Sequence, residues 1–146
     1  MKYMKKLVLL LMPAILFFSC QQTQTIEVVE EVYADGVQKQ MIVYEVSGSD
    51  SVAIHQTDFH RDGSKKMEGD LINGKRDGEW FSWYPDGTIW SEGSYENGKR
   101  TGYSKAYYAN GIVHLEGSYK DGKKVGDWKV FNSDGKLETT QEYGKE

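Results

Sequence analysis

Tyr95-Glu96-Asn97-Gly98-Lys99-Arg100-Thr101-Gly102-Tyr103 returns 24 residues later as Tyr119-Lys120-Asp121-Gly122-Lys123-Lys124-Val125-Gly126-Asp127-Trp128. The same spacing extends through four glycine columns: Gly63, Gly87, Gly111 and Gly135; Gly69, Gly93 and Gly117; Gly74, Gly98 and Gly122; and Gly78, Gly102 and Gly126. A fixed period of this length means one supersecondary unit copied and stacked, each copy burying its apolar side against the next.

The aromatic residues keep the period. Phe59, Trp83, Tyr107 and Phe131 form one column, and Leu71, Tyr95, Tyr119 and Tyr143 a second. Trp80 and Trp128 define a third, which Ser104 breaks. Asp-Gly or Asn-Gly pairs at Asp62-Gly63, Asp86-Gly87, Asn110-Gly111 and Asp134-Gly135 suit hairpin turns with positive φ at both central residues. A second turn follows at Asn73-Gly74, Asn97-Gly98 and Asp121-Gly122. Two turns per 24 residues leave room for two strands of roughly five to eight residues, so each copy reads as one β-hairpin. The expected fold is all-β: tandem antiparallel hairpins in an elongated, twisted single sheet, each hairpin adding roughly 10 Å. Sixteen glycines, frequent turn pairs and abundant Tyr, Trp and Val oppose helix.

Alternation places Ile89, Ser91, Gly93 and Tyr95 on one face and Trp90, Glu92 and Ser94 on the other. The first set is the candidate core face, where the glycine lets a large aromatic from a neighbouring strand lie across the backbone. Glu79-Trp80-Phe81-Ser82-Trp83-Tyr84 has apolar residues at both parities, which implies covering on both faces or a bulge.

The chain opens differently. Lys2, Lys5 and Lys6 precede a twelve-residue apolar run, Leu7 to Phe18, followed by Ser19 and Cys20. A basic start and a short apolar segment describe a secretory signal, well short of the ~20 residues a spanning helix needs. Cys20 is the single cysteine and sits where such a signal is cut. The stretch resembles the lipobox of bacterial lipoproteins, which implies a diacylglycerol on the Cys20 sulfur and attachment to a membrane through lipid. On this reading residues 1–19 are a lipoprotein signal, 20–25 a tether, 26–56 a degenerate capping hairpin, and 57–146 the repeats. Removing residues 1–19 takes away three lysines and no acids, leaving 15 basic against 22 acidic residues, a formal charge of −7. An acidic domain argues against nucleic acid as a partner. Gln21, rather than aspartate, follows Cys20, which favours an outer-membrane address in the bacterial envelope under the sorting rule of some enteric bacteria.

The motif from Tyr95 to Tyr103 and its copy from Tyr119 to Trp128 are similar to the MORN repeat in its bacterial variant, with tyrosine, both glycines and the basic pair in register from about Phe59 to Tyr143. The resemblance implies antiparallel hairpins in an extended sheet. Proteins of this kind often carry the label of antitoxin component, which for an exported chain translates into immunity against a toxin acting in the envelope.

Catalysis finds no support in the residues. His55, His60 and His114 occupy unrelated repeat positions, and the acidic column Glu68, Glu92 and Glu116 places equivalent carboxylates about 10 Å apart in like surroundings. Neither a metal site nor a cofactor is expected. The basic pairs Lys75-Arg76, Lys99-Arg100 and Lys123-Lys124 follow turns and read as solvated positions. The aromatic surplus is the candidate ligand surface: Trp83, Tyr84, Trp90, Tyr107 and Tyr108 exceed what one face of a thin sheet requires. The leading expectation is a noncatalytic lipoprotein whose sheet binds another protein; a carbohydrate or cell-wall ligand stacked on those rings is the alternative.

Overall fold

The structure is a computed structural model and describes residues 23–144; Cys20 and the segment 1–19 lie outside the described residues. Ten strands follow in chain order: β1 (Gln24–Val32), β2 (Gln38–Ser47), β3 (Asp50–Phe59), β4 (Lys65–Ile72), β5 (Lys75–Trp83), β6 (Ile89–Glu96), β7 (Lys99–Tyr107), β8 (Val113–Lys120), β9 (Lys123–Phe131) and β10 (Leu137–Tyr143). Each pairs with the next, so the fold is one open sheet in the order β1 to β10, antiparallel at every step. This is the tandem-hairpin architecture the period predicts. At the amino-terminal end, β1 starts inside the stretch read as a tether, and β3 runs across the boundary set between cap and repeats.

The two turn classes differ from each other in backbone geometry. At Asn73-Gly74, Asn97-Gly98 and Asp121-Gly122 both residues have positive φ (52° and 70°, 51° and 83°, 51° and 81°), and two residues alone separate the strands. These are the primed hairpin turns expected from sequence. At Asp62-Gly63, Asp86-Gly87, Asn110-Gly111 and Asp134-Gly135, glycine alone has positive φ, which corrects the expectation. There a turn closes from the residue two before the acid, as in Gly87 N–H to the Tyr84 carbonyl (3.0 Å) and Tyr84 N–H to the Thr88 carbonyl (2.8 Å). The residue before the glycine keeps ordinary φ, and in three of the four turns its side chain accepts from the N–H two residues ahead; in the last, the Asn132 side chain takes the Lys136 N–H instead. Asp86 accepts from the Thr88 N–H and Asp62 from the Ser64 N–H, both at 2.9 Å.

The glycines of the repeat thus divide by function. Gly78, Gly102 and Gly126 carry positive φ within strands β5, β7 and β9, beside register shifts against the preceding strand. They mark bulges, one of the two alternatives the sequence leaves open for this strand, and bulges of this kind increase local twist. Gly69, Gly93 and Gly117 have ordinary φ and are required for a different reason, the space above them.

One row across the sheet pairs Gly69 with Trp80, Trp80 with Gly93, Gly93 with Ser104 and Ser104 with Gly117. Trp80 and Trp128 are among the most buried side chains, at 4% and 2% exposure, in a protein only one layer thick. Each indole lies flat on a glycine of the neighbouring strand: a Cβ placed on Gly69 would stand 2.5 Å from Cγ of Trp80, and one on Gly117 2.6 Å from Cγ of Trp128. Ile42 and Leu71 join Trp80 in the core, with Tyr44, Ala53, Met67 and Tyr95 packed around it.

The opposite face carries charge. Glu92 pairs with Lys105, Lys105 with Glu116, and Glu116 with Lys129. Alternating signs directly across an antiparallel sheet are mutually favourable.

Candidate functional site

Each buried indole sits in a box assembled from two successive repeats. Its floor is glycine. Its N–H donates to a backbone carbonyl ten residues earlier: Trp80 Nε1 to Asp70 and Trp128 Nε1 to Ser118, both at 3.1 Å. A cation closes the top, with the Arg76 guanidinium 4.2 Å from the Trp80 ring centre and the Lys124 ammonium 4.2 Å from that of Trp128. A tyrosine from the following repeat meets it edge-on, Tyr95 against Trp80 at 6.1 Å and Tyr143 against Trp128 at 6.3 Å. Trp128 also takes Tyr119 at 4.9 Å. The second basic residue of each pair is therefore packed over aromatic rings, in contrast to the solvated reading of that column.

The middle copy has the box without the indole. Ser104 stands at the Trp80 and Trp128 position, opposite Gly93. A cavity of about 200 Å³ opens on this face, with Gly93, Ser94, Ser104, Arg100, Tyr119 and Trp90 among its lining residues. Trp80 and Trp128 wall it on either side. Gly69 and Gly117 are buried beneath their indoles, whereas Gly93 is half-buried; Arg76 and Lys124 are half-buried over theirs, whereas Arg100 is exposed. Arg100 nevertheless keeps its place between rings, 5.6 Å from Tyr95 and 5.2 Å from Tyr119.

The five aromatic residues proposed from sequence separate in the structure. Trp90, half exposed, lines this cavity and lies 6.5 Å from Tyr84. Tyr84 and Tyr108 tie turn to turn: their hydroxyls donate to the carbonyls of Tyr107 and Phe131, each at 2.9 Å, while His60 Nε2 bonds the Trp83 carbonyl at 2.9 Å one repeat earlier. Trp83 neighbours Phe81 at 6.2 Å and carries Lys65 at 5.3 Å. Tyr107 donates to the Glu92 carboxylate at 2.6 Å, and the pKa of its hydroxyl is pushed up to about 12 by burial first and by that carboxylate second. Glu116 receives Tyr103 in the same way. The acidic column is thus held by tyrosines and lysines, with Lys65 at 2.7 Å from Glu68. Among the described residues no group of three His, Cys, Asp or Glu is placed to hold a metal ion.

This geometry defines a single-layer hairpin-repeat protein whose row of indole boxes is interrupted once. Residues 76–97, 100–121 and 124–144 match the family described as MORN repeat variant. No curated protein matches the chain. Among solved structures, that of a S. aureus TarM mutant in complex with fondaparinux, alpha-GlcNAc-glycerol and UDP is similar over 69% of this chain and 21% of its own, at 19% identity and a TM-score of 0.35.

Proposed function

We propose that this protein is a noncatalytic binding protein of the bacterial cell envelope, held to a membrane by lipid on Cys20, that presents the indole-bearing face of its sheet to another protein. The observation that carries the proposal is the cavity over Ser104. It combines a half-exposed tryptophan, two buried ones and an exposed arginine around one cavity. Tryptophan and arginine are among the residues that most often carry the energy of protein interfaces. The cavity is smaller than the roughly 300–1,000 Å³ of sites for drug-sized ligands, which suits a side chain rather than a free metabolite. The matched repeat is a generally nonenzymatic module, in keeping with this reading.

The test is photocrosslinking in the cells that make the protein, with the crosslinker placed at Trp90 on the cavity face or at Lys129 on the charged face. A single protein captured in stoichiometric yield from Trp90 and not from Lys129 is the expected result. Cell-wall fragments captured from Trp90 in place of protein would replace this reading with a glycan-binding one. Cys20→Ser is expected to release the protein from the membrane fraction; retention there would remove the anchor from the proposal.

A further inference from the structure

Resting on that reading, we infer that the cavity over Ser104 is a receptor for one tryptophan side chain of the partner polypeptide, which completes the indole ladder from outside. The protein's own two occupied boxes are the template. In both, a planar ring lies on glycine, receives a cation from above, meets a tyrosine, and donates its N–H to the carbonyl of residue 70 or 118. Each of these elements recurs around Ser104. Gly93 supplies the floor, half uncovered. Arg100 stands exposed beside Tyr119 at 5.2 Å. The Ser94 carbonyl occupies the place of the acceptors at Asp70 and Ser118 by the 24-residue step, while Ser104 turns its own hydroxyl away to the Glu92 carbonyl at 3.2 Å.

The walls have closed only in part over the missing ring: Ser104 is itself buried, at 7% exposure, yet a cavity remains above it. Trp80 and Trp128 remain in their own boxes, fixed by their N–H bonds, and the small residues Ser82, Ser91 and Ala106 lining the cavity have nothing to reach across with. A planar group with a single N–H donor fits this space; an aliphatic chain offers neither the face for Arg100 nor the donor for Ser94. The chain's own four tryptophans are Trp80, Trp83, Trp90 and Trp128. Two fill their own boxes, Trp83 belongs with Phe81 and Trp90 is part of the cavity wall, so the occupant comes from another molecule.

The experiment uses the full lipidated chain in nanodiscs and a tripeptide probe, acetyl-Gly-(5-fluoro-Trp)-Gly-amide, observed by fluorine NMR. Saturable broadening, displaced by the unfluorinated peptide and not by its leucine counterpart, is expected. The 1-methyltryptophan peptide, which lacks the N–H, should compete roughly three- to ten-fold less well, the worth of one hydrogen bond. Ser104→Trp, which fills the box from within, should abolish the broadening and raise the melting temperature; Ser104→Leu should also abolish it should the tryptophan variant fail to fold. Equal binding to wild type and both filled variants would overturn the inference, as would equal competition by the leucine peptide. Self-association lost in Trp90→Ala would overturn it too, assigning the box to a second copy of this chain. Absence of probe binding with the Trp90 crosslink intact would sink the indole receptor and leave the protein-interaction surface standing.

Discussion

Alanine placed at Gly69, Gly93 and Gly117 in turn separates the two reasons a repeat can keep a glycine. All three sit in the same column with ordinary φ, so the backbone alone treats them alike. A Cβ at Gly69 or Gly117 falls 2.5 or 2.6 Å from Cγ of the overlying indole, about 1 Å inside the 3.5–4.0 Å at which carbon atoms rest. The ring must lift. It then strains the N–H bond to the Asp70 or Ser118 carbonyl, worth about 0.5–1.5 kcal/mol, in addition to the roughly 1–3 kcal/mol typical of overpacking. With the roughly 0.5–1 kcal/mol gained by replacing a strand glycine taken off, each substitution should therefore cost about 1–4 kcal/mol. At Gly93 the Cβ meets only Ser104, its hydroxyl at 3.1 Å, Cβ at 3.3 Å and Cα at 3.7 Å, a contact relieved by a small shift. Replacing glycine in a strand is favourable by about 0.5–1 kcal/mol, so Gly93→Ala should fall within about 1 kcal/mol of wild type. Urea denaturation of the three variants measures the differences, with a lowered slope signalling that one end of the array has uncoupled. Equal destabilisation at all three positions would mean that the glycines answer to the backbone and that the Ser104 box is closed.

Other consequences are smaller. Tyr84→Phe and Tyr108→Phe each remove a turn-to-turn bond of 2.9 Å and should cost about 0.5–1.5 kcal/mol by the same denaturation assay, with the sheet intact by circular dichroism. Tyr107 should ionise near pH 12 in an ultraviolet difference titration, and Glu92→Gln should lower that step only in part, because burial, the larger cause, remains. Because the folded hydroxyl holds its proton more tightly than the unfolded one, its contribution to stability is complete below pH 10 and disappears as the pH rises toward 12. The carboxyls of Asp62 and Asp86 titrate below their ordinary range, Asp62 because of the Ser64 side chain first and Asp86 because of the Thr88 N–H first. Acidification through that range should loosen the first class of turns before the Asn-Gly hairpins, visible as faster amide exchange at Ser64 and Thr88.

The 24-residue period suffices to read the hairpins and their number per repeat, because each depends on local chemistry repeated in register; for the double parity in β5 it leaves a bulge and two covered faces both open. It does not distinguish the two turn classes, since Asp-Gly and Asn-Gly each serve both. The basic column is legible as a column but not as a packed one: its ring partners come from both its own strand and the next repeat, a relation that alternation along one strand does not contain. Adjacency singles out Trp83 with Tyr84 and Tyr107 with Tyr108 as candidate pairs. The more informative signal is His60, Tyr84 and Tyr108, each two residues before an Asp-Gly or Asn-Gly pair, all joining a ring to a backbone carbonyl one repeat on.

Ser104 is visible in the sequence as the break in the tryptophan column, and a break alone is ambiguous. A missing side chain in a close-packed interior is normally absorbed, at least in part, by its neighbours. Absorption needs neighbours that are free to move, and here they are pinned: Trp80 and Trp128 by their own floors and acceptors, Arg100 between two tyrosines, and Gly93 by having nothing to extend. A uniform ladder offers identical surfaces at every step and so no reason to bind at one step rather than another. Specificity requires a position where the repeat departs from itself, and a departure that keeps every wall of the box while omitting its contents selects for a ligand shaped like the contents.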